Sequence, residues 1–409
     1  MTNKVPLPKG ARGKLSFPRL SFFLAAVLTL FSACTTPTPL VSRGTSDLGI
    51  VIERTLGRVQ VVETTHHTSL FTVDGLGDLS HASAVFSRDG RYAFIFGRDG
   101  GLSKVDLLSG TVVNRIVQAG NSIGGAISDD GTLIATANYD PGGIKVFDSD
   151  TLALVADLPS TGDDGKSSKV VGIEDLPGRR FIYSLYDAGE VRIADVSVAA
   201  HPVVTRIPNI GRLPYDGLTT SDGRFYIAGL FGEDGLALID LWEAKPTARR
   251  ILNHYGRGEQ PLPVYKMPHL RTWAQAGDLM FLPAVGRHEV LVVSRTDWRE
   301  VARIAVQGQP VFVVARPDGR EVWVNFAHPS NDAIQVIDVQ RMAVARTFIP
   351  GKAVLHMEFT PRGEQAWVSV RDSDQVVVYD TRTGAEITRL PADKPSGILL
   401  GARAQRMGL

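Results

Sequence analysis

The chain has 409 residues, with 44 Lys and Arg against 43 Asp and Glu and a formal charge of +1. That balance excludes the clustered basic surface that nucleic-acid binding requires, and 44% hydrophobic residues exclude a mainly disordered chain. A single cysteine excludes internal disulfides and cysteine-based zinc or iron–sulfur centres.

Five basic residues (Lys4, Lys9, Arg12, Lys14, Arg19) and no acidic ones precede Cys34, so the remainder carries 39 basic and 43 acidic residues. Residues 20–31 form an apolar run that is too short to span a bilayer and has the length of a signal h-region. Ser32-Ala33-Cys34 then resembles the bacterial lipoprotein signal, with Phe31 where Leu is usual. On that resemblance 1–33 is a signal peptide, Cys34 is lipidated, and 34–46 is a polar tether holding the protein to a membrane. The plainer alternative is cleavage near Ala33 that leaves Cys34 a free thiol.

From residue 48 onward one pattern recurs: two apolar strands joined by a turn, a polar loop, a third strand ending in Asp, a turn, and another strand. The third-strand ends are Glu63, Asp106, Asp148, Asp195, Asp240, Ser294, Asp338 and Asp380. Most are preceded by an Asp-Gly or Pro-x-Gly turn such as SRDGR at Ser87. A period in the forties with four short strands predicts a β-propeller. Eight marks predict eight blades over 47–409. The first blade lacks an inner strand of its own, and an orphan strand at 397–401 is expected to supply it, closing the ring.

In such a meander the second-to-third loops and the blade-to-blade crossovers share one face. The crossovers carry His81, Asn121, Lys169, Arg212, Tyr215, Asp216, Lys266, His269, Gln309, Lys352, His356 and Lys394. The loops carry Arg98, Tyr139, Asp140, Tyr186, Arg287 and Arg371, among others. An insertion at 256–263 on the same face could form a partial lid. Basic residues converging on a channel fit an anionic ligand with several carboxylates, and Tyr139, Tyr186 and Phe231 could stack on a flat ring. His81, at the start of an inner strand, is a candidate iron ligand.

Other motifs carry less. Residues 160–167 (STGDDGKS) fall one glycine short of a phosphate loop, and a strand rather than a helix is expected after them. His66 and His67 are adjacent at the start of an outer strand and point to opposite faces. No nucleophile elbow, H-E-x-x-H or helix-opening G-x-G-x-x-G occurs, which argues against a nicotinamide cofactor.

The stretch 79–107 (LSHASAVFSRDGRYAFIFGRDGGLSKVDL) resembles the haem d1 domain of cytochrome cd1 nitrite reductase. There a His, a Ser-x-Gly-Arg-Tyr turn and a Gly-Arg-Asp loop contain the iron ligand, which makes His81 its counterpart. The chain from residue 47 is similar to the NirF family of haem d1 biogenesis proteins. The resemblance implies a periplasmic single propeller that binds haem d1 or its tetrapyrrole precursor at a late maturation step. Other haem d1 maturation proteins and the nitrite reductase would be its partners. Arg98, Asn121, Tyr139, Lys169, Arg212, Lys266, Arg287, Lys352 and Arg371 would hold the ligand. Either the protein is an enzyme, for instance a dehydrogenase in which His269, His356 or Asp140 moves protons, or it is a scaffold that passes cofactor on. A third reading is a protein-interaction propeller without a tetrapyrrole. The lack of Cys-x-x-Cys-His excludes a covalent haem c.

Overall fold

The structure is a computed structural model, and it describes residues 43–254, 273–284 and 287–405. Cys34, Lys266, His269 and the 256–263 insertion lie outside the described residues. The described elements form eight four-stranded antiparallel sheets arranged as a β-propeller. Blade 2 sets the pattern, with strands Ser83–Phe86, Tyr92–Phe96, Gly101–Asp106 and Thr111–Val117. All eight third-strand marks fall at strand ends.

The two sequence markers have separate physical roles. The aspartate ending the third strand accepts a hydrogen bond from a backbone N–H two or three residues on: Asp106 from Leu108, Asp148 from Thr151, Asp240 from Trp242 and Asp380 from Thr383. Each is an Asx-turn that starts the hairpin to the outer strand. In the first hairpin the glycine takes φ of +69° at Gly90, +75° at Gly131 and +69° at Gly223, a conformation that residues with a Cβ rarely adopt.

Stability lies between the blades. Each of the eight interfaces carries its own apolar cluster. Between blades 2 and 3, for example, Phe94, Phe96 and Leu102 meet Ile127, Ile134 and Phe147. Outer strands such as Val203–Ile207 are mostly exposed, so the burial gradient runs inward.

The seam forms as the sequence predicts, with bounds shifted slightly. Strand Pro395–Leu400 becomes the inner strand of blade 1, pairing Gly49 with Leu400, Ile50 with Leu399 and Val51 with Ile398. Ile398 and Leu400 pack with Val51 and Trp367, and Leu399 packs with Leu48 and Phe86, so the strand is bound to both neighbours. Beyond it, a 3-10 turn at Gly401–Gln405 lies at the lower end of the central channel. Arg403 pairs with Glu358 of blade 8 at 2.9 Å, and Arg88 of blade 2 donates to the Ala404 carbonyl at 2.6 Å. Arg88 also reaches the Ser128 carbonyl at 2.7 Å and stands 3.6 Å from Asp175, spanning blades 2 to 4.

Deleting 395–409 should therefore destabilise the whole ring. Losing the burial of Ile398, Leu399 and Leu400 costs roughly 5 kcal/mol or more, and two open sheet edges invite association. Thermal melting combined with light scattering should show a melting point at least about 10 °C lower and soluble oligomers. A monomer with unchanged melting would contradict the closure.

Candidate functional site

The upper end of the channel gathers the crossovers and the loops between second and third strands. The structure divides this mouth into two chemically different arcs. Blades 8, 1 and 2 present guanidinium groups, and blades 3, 4 and 5 present aromatic rings.

The basic arc comes from equivalent loop positions. Arg371 follows strand Gln365–Val370, Arg54 follows Leu48–Glu53, and Arg98 lies two residues after Tyr92–Phe96. Arg371 donates through Nε to Asp372 at 2.8 Å. The backbone of Arg98 is pinned, its N–H donating to the Asp78 carbonyl at 2.8 Å and its carbonyl accepting from Ser122 N–H at 3.4 Å, while its side chain is exposed. Arg54 was not among the residues singled out from sequence. Burial and the neighbouring Arg371 charge both push its pKa down. The Asp78 carboxyl is held below its usual range by the Ser80 hydroxyl and N–H, and by Arg98 and Arg54.

The aromatic arc is a contiguous cluster. Tyr186 lies edge-on to Tyr215 at 6.2 Å between centroids, and Phe231 stands 6.4 Å from Tyr186 and 6.2 Å from Tyr215. The phenols of Tyr139 and Tyr215 are hydrogen-bonded. Burial pushes Tyr139, Tyr186 and Tyr215 up in pKa, most strongly Tyr215, which also faces Tyr139 and the buried Asp216. These phenols are therefore neutral hydrogen-bonding groups across the physiological range. Beside them a cavity of about 700 Å³ opens between blades 4 and 5, lined by Asp187, Asn209, Arg212, Leu213 and Phe231.

The remaining predicted residues divide by what they already hold. His81 is half-buried in the turn before Ser83–Phe86. His356, on inner strand Val354–Phe359, accepts the Ile398 N–H through Nδ1 at 3.3 Å and stands edge-on to Phe312 at 5.7 Å. That bond puts the proton of the neutral ring on Nε2. Asn121 and Gln309, at the tops of inner strands, have a buried Oδ1 and Nε2 without hydrogen-bond partners. Lys169 is 3.1 Å from Asp187 and 5.1 Å from the Tyr186 centroid. The Arg212 guanidinium donates to the Gly232 carbonyl and lines the cavity. Lys352 is exposed, and Lys394 is held by Asp374 at 2.9 Å. Asp140 is also exposed, its carbonyl accepting the Gly120 N–H at 3.1 Å. Arg287 is exposed and stands 3.8 Å from Glu289, a carboxylate it shares with Arg303 of the outer strand.

The less promising motifs stay structural. Residues 160–167 close as a hairpin through a Thr161–Ser167 bridge, and strand Val170–Leu176 follows. His66 and His67 sit in the turn before strand Thr68–Val73 rather than on it, because the Glu63 carboxylate gathers the N–H groups of Thr65, His66 and Thr68 there. Among the described residues no cluster of His, Cys, Asp and Glu could hold a metal ion.

Residues 43–404 match the model of the cytochrome D1 heme domain. The chain is 56% identical over 390 residues to Protein NirF of Stutzerimonas stutzeri, covering 95% of this chain and 99% of that one. The chain belongs to the cytochrome D1 heme domain family, and within it to the NirF proteins. Protein NirF of Pseudomonas aeruginosa (strain PAO1) is likewise 56% identical, over 94% of this chain and 98% of its own. Among solved structures, the dihydro-heme d1 dehydrogenase NirN in complex with DHE superposes with a TM-score of 0.78 at 25% identity. That match covers 90% of this chain and 78% of that one.

The tyrosine cluster makes a pH prediction. The folded pKa values of Tyr139, Tyr186 and Tyr215 lie above the unfolded value of about 10. Their stabilising contribution is therefore complete below pH ~10 and is lost as pH rises further. In an absorbance titration at 295 nm these phenols should remain protonated at pH 10, where an exposed tyrosine is about half ionised. Tyr215→Phe should remove one late-titrating group. A variant that instead loses an ordinary phenol would place Tyr215 in solvent.

Proposed function

We propose that this protein binds haem d1 or its tetrapyrrole precursor at the channel mouth and serves a late step of haem d1 formation in the periplasm. The observation that carries the reading is the division of the mouth. Guanidinium groups suit the carboxylates of a tetrapyrrole, and the opposite aromatic arc suits its flat ring. The buried, unpartnered Oδ1 of Asn121 and Nε2 of Gln309 fit a ligand that would satisfy them, since buried polar atoms are seldom left unpaired. His81 would hold the iron, with the basic arc and the aromatic cluster holding the macrocycle. When bound, the ligand would supply a redox-active iron and a conjugated ring, and the residues of this chain would bind it, orient it and limit its contact with water. Membership of the NirF proteins and the superposition on a dihydro-heme d1 dehydrogenase support this choice of ligand.

Of the two mechanisms, the scaffold that hands cofactor to partner maturation proteins and to nitrite reductase is favoured. The sequence has no helix-opening G-x-G-x-x-G for a nicotinamide cofactor, which suits holding better than hydride transfer. The enzyme reading rests on the neutral phenols of Tyr139 and Tyr215 beside the buried Asp216. The tetrapyrrole that accumulates in a deletion strain separates the two: finished haem d1 means a carrier, and an altered side chain means an enzyme.

His81→Ala should fold normally, because a half-buried residue in a turn costs within about 1 kcal/mol. It should shift the Soret band of bound haem d1 and reduce cofactor production without abolishing binding. A wild-type spectrum together with normal nitrite reductase activity would remove His81 as the ligand, leaving His356 and His269 as candidates.

We also propose that the protein is a lipoprotein anchored through Cys34. Cys34→Ala should move it from the membrane fraction to the soluble periplasm on cell fractionation, since the acyl chains supply the membrane affinity. Continued membrane association of the variant would reject the anchor.

A further inference from the structure

Residues 160–167, which fall short of a phosphate loop, have a different part in the fold. The hairpin they form is rooted in blade 4 by two arginines. The buried Arg192 donates to the Thr161 carbonyl at 2.6 Å and to the Pro159 carbonyl at 3.4 Å. Arg206 joins Glu190 to Asp163, at 2.7 Å from each. Two adjacent serines stand at the base of the hairpin. Neighbouring side chains of an extended segment point opposite ways, and here each hydroxyl serves a different blade. Ser167 donates to the Pro141 carbonyl, in the blade 3 loop two residues after Tyr139. The buried Ser168 accepts the N–H groups of Asp187 at 2.9 Å and Ala188 at 3.2 Å, in the blade 4 loop directly after Tyr186. Lys169 completes this latch. Its N–H and Nζ donate to the Asp187 carboxylate at 2.9 and 3.1 Å, and its carbonyl accepts the Tyr186 N–H at 2.9 Å. The approach on the blade 3 side is equally close: Gly142 has a φ of +91°, and a Cβ there would stand 2.4 Å from the Ser168 carbonyl oxygen.

We propose that Ser167 and Ser168 are positioning residues: together they set the spacing between the loops of Tyr139 and Tyr186, and with it the shape of the aromatic arc that receives the flat ring of the ligand. The inference rests on the ligand reading above and adds to it what holds the site in shape without touching the ligand. Tyr139 and Tyr186 stand outside the apolar cluster that joins blades 3 and 4, so hydrogen bonds to their loops decide where the rings lie. A flat ligand gains most from aromatic side chains already in place, because loops that must be ordered on binding cost affinity. Ser168 is the more demanding of the two serines, since its loss leaves two N–H groups without the acceptor they share.

The test uses the full mature protein, with haem d1 as the probe. Ser168→Ala should weaken binding about tenfold. Tyr186→Ala should also weaken it, and the double variant should bind about as weakly as Tyr186→Ala alone, because the serine acts through the ring. Ser167→Ala changes an exposed side chain and leaves folding undisturbed; its smaller loss should couple to Tyr139→Ala in the same way. Without ligand, hydrogen exchange at residues 186–189 should speed up in Ser168→Ala while strands Arg180–Leu185 and Glu190–Asp195 keep their protection. If wild type does not bind haem d1, the ligand reading fails and this inference with it. If wild type binds it and Ser168→Ala binds it equally well, or the losses from Ser168→Ala and Tyr186→Ala simply add, the positioning role is overturned and the ligand reading stands. Faster exchange throughout blade 4 in Ser168→Ala would make the serine structural and would likewise overturn the role.

Discussion

A ring of sheets has as many interfaces as blades, and all but one can form between blades that are each a single hairpin chain. The last must be sealed by the two ends of the polypeptide. Here strand Pro395–Leu400 meets Leu48–Glu53, and its side chains are shared between the clusters on either side. Two partly buried polar contacts reinforce the seam: the Asp393 N–H donates to Glu53 at 2.7 Å, and the Gln60 amide donates to the Pro391 carbonyl at 3.0 Å. The functional end depends on this closure. Arg54 follows one seam strand directly, and the Nδ1 of His356 is held by Ile398 of the other.

Below the mouth the seam is packed on both sides, with Trp367, Val62 and Ile398 in one cluster and Phe86, Leu48 and Leu399 in the other. The aromatic arc lies elsewhere on the ring. Its rings are anchored to blades 3 to 5, whose sheets are each continuous in sequence.

Much of this could be read from the chain. Blade number, seam and face assignment follow from residues with local duties: the Asp that starts each outer hairpin and the glycine that needs positive φ. Such duties repeat wherever the hairpin repeats, so they leave a periodic trace. The site leaves none, because it is assembled once from loops of different blades. Arg287 and Arg371 look alike in sequence, yet the first shares Glu289 with Arg303 of the outer strand while the second pairs with its own neighbour Asp372. Arg54 went unseen because it follows Glu53 in a short turn with no unusual neighbours. The signal that could have found it is its register, the first position after a second strand, shared with Arg371. Asn121 and Gln309 lie at crossover ends, but only coordinates reveal that an atom of each is buried without a partner.

The turn at Gly401–Gln405 has one more consequence. Fastened to blades 8 and 2 directly, and through Arg88 to blades 3 and 4, it ties the end of the closing strand to four blades. A pull on this end is then resisted by half the ring at once, as a knot holds where a single stitch would run.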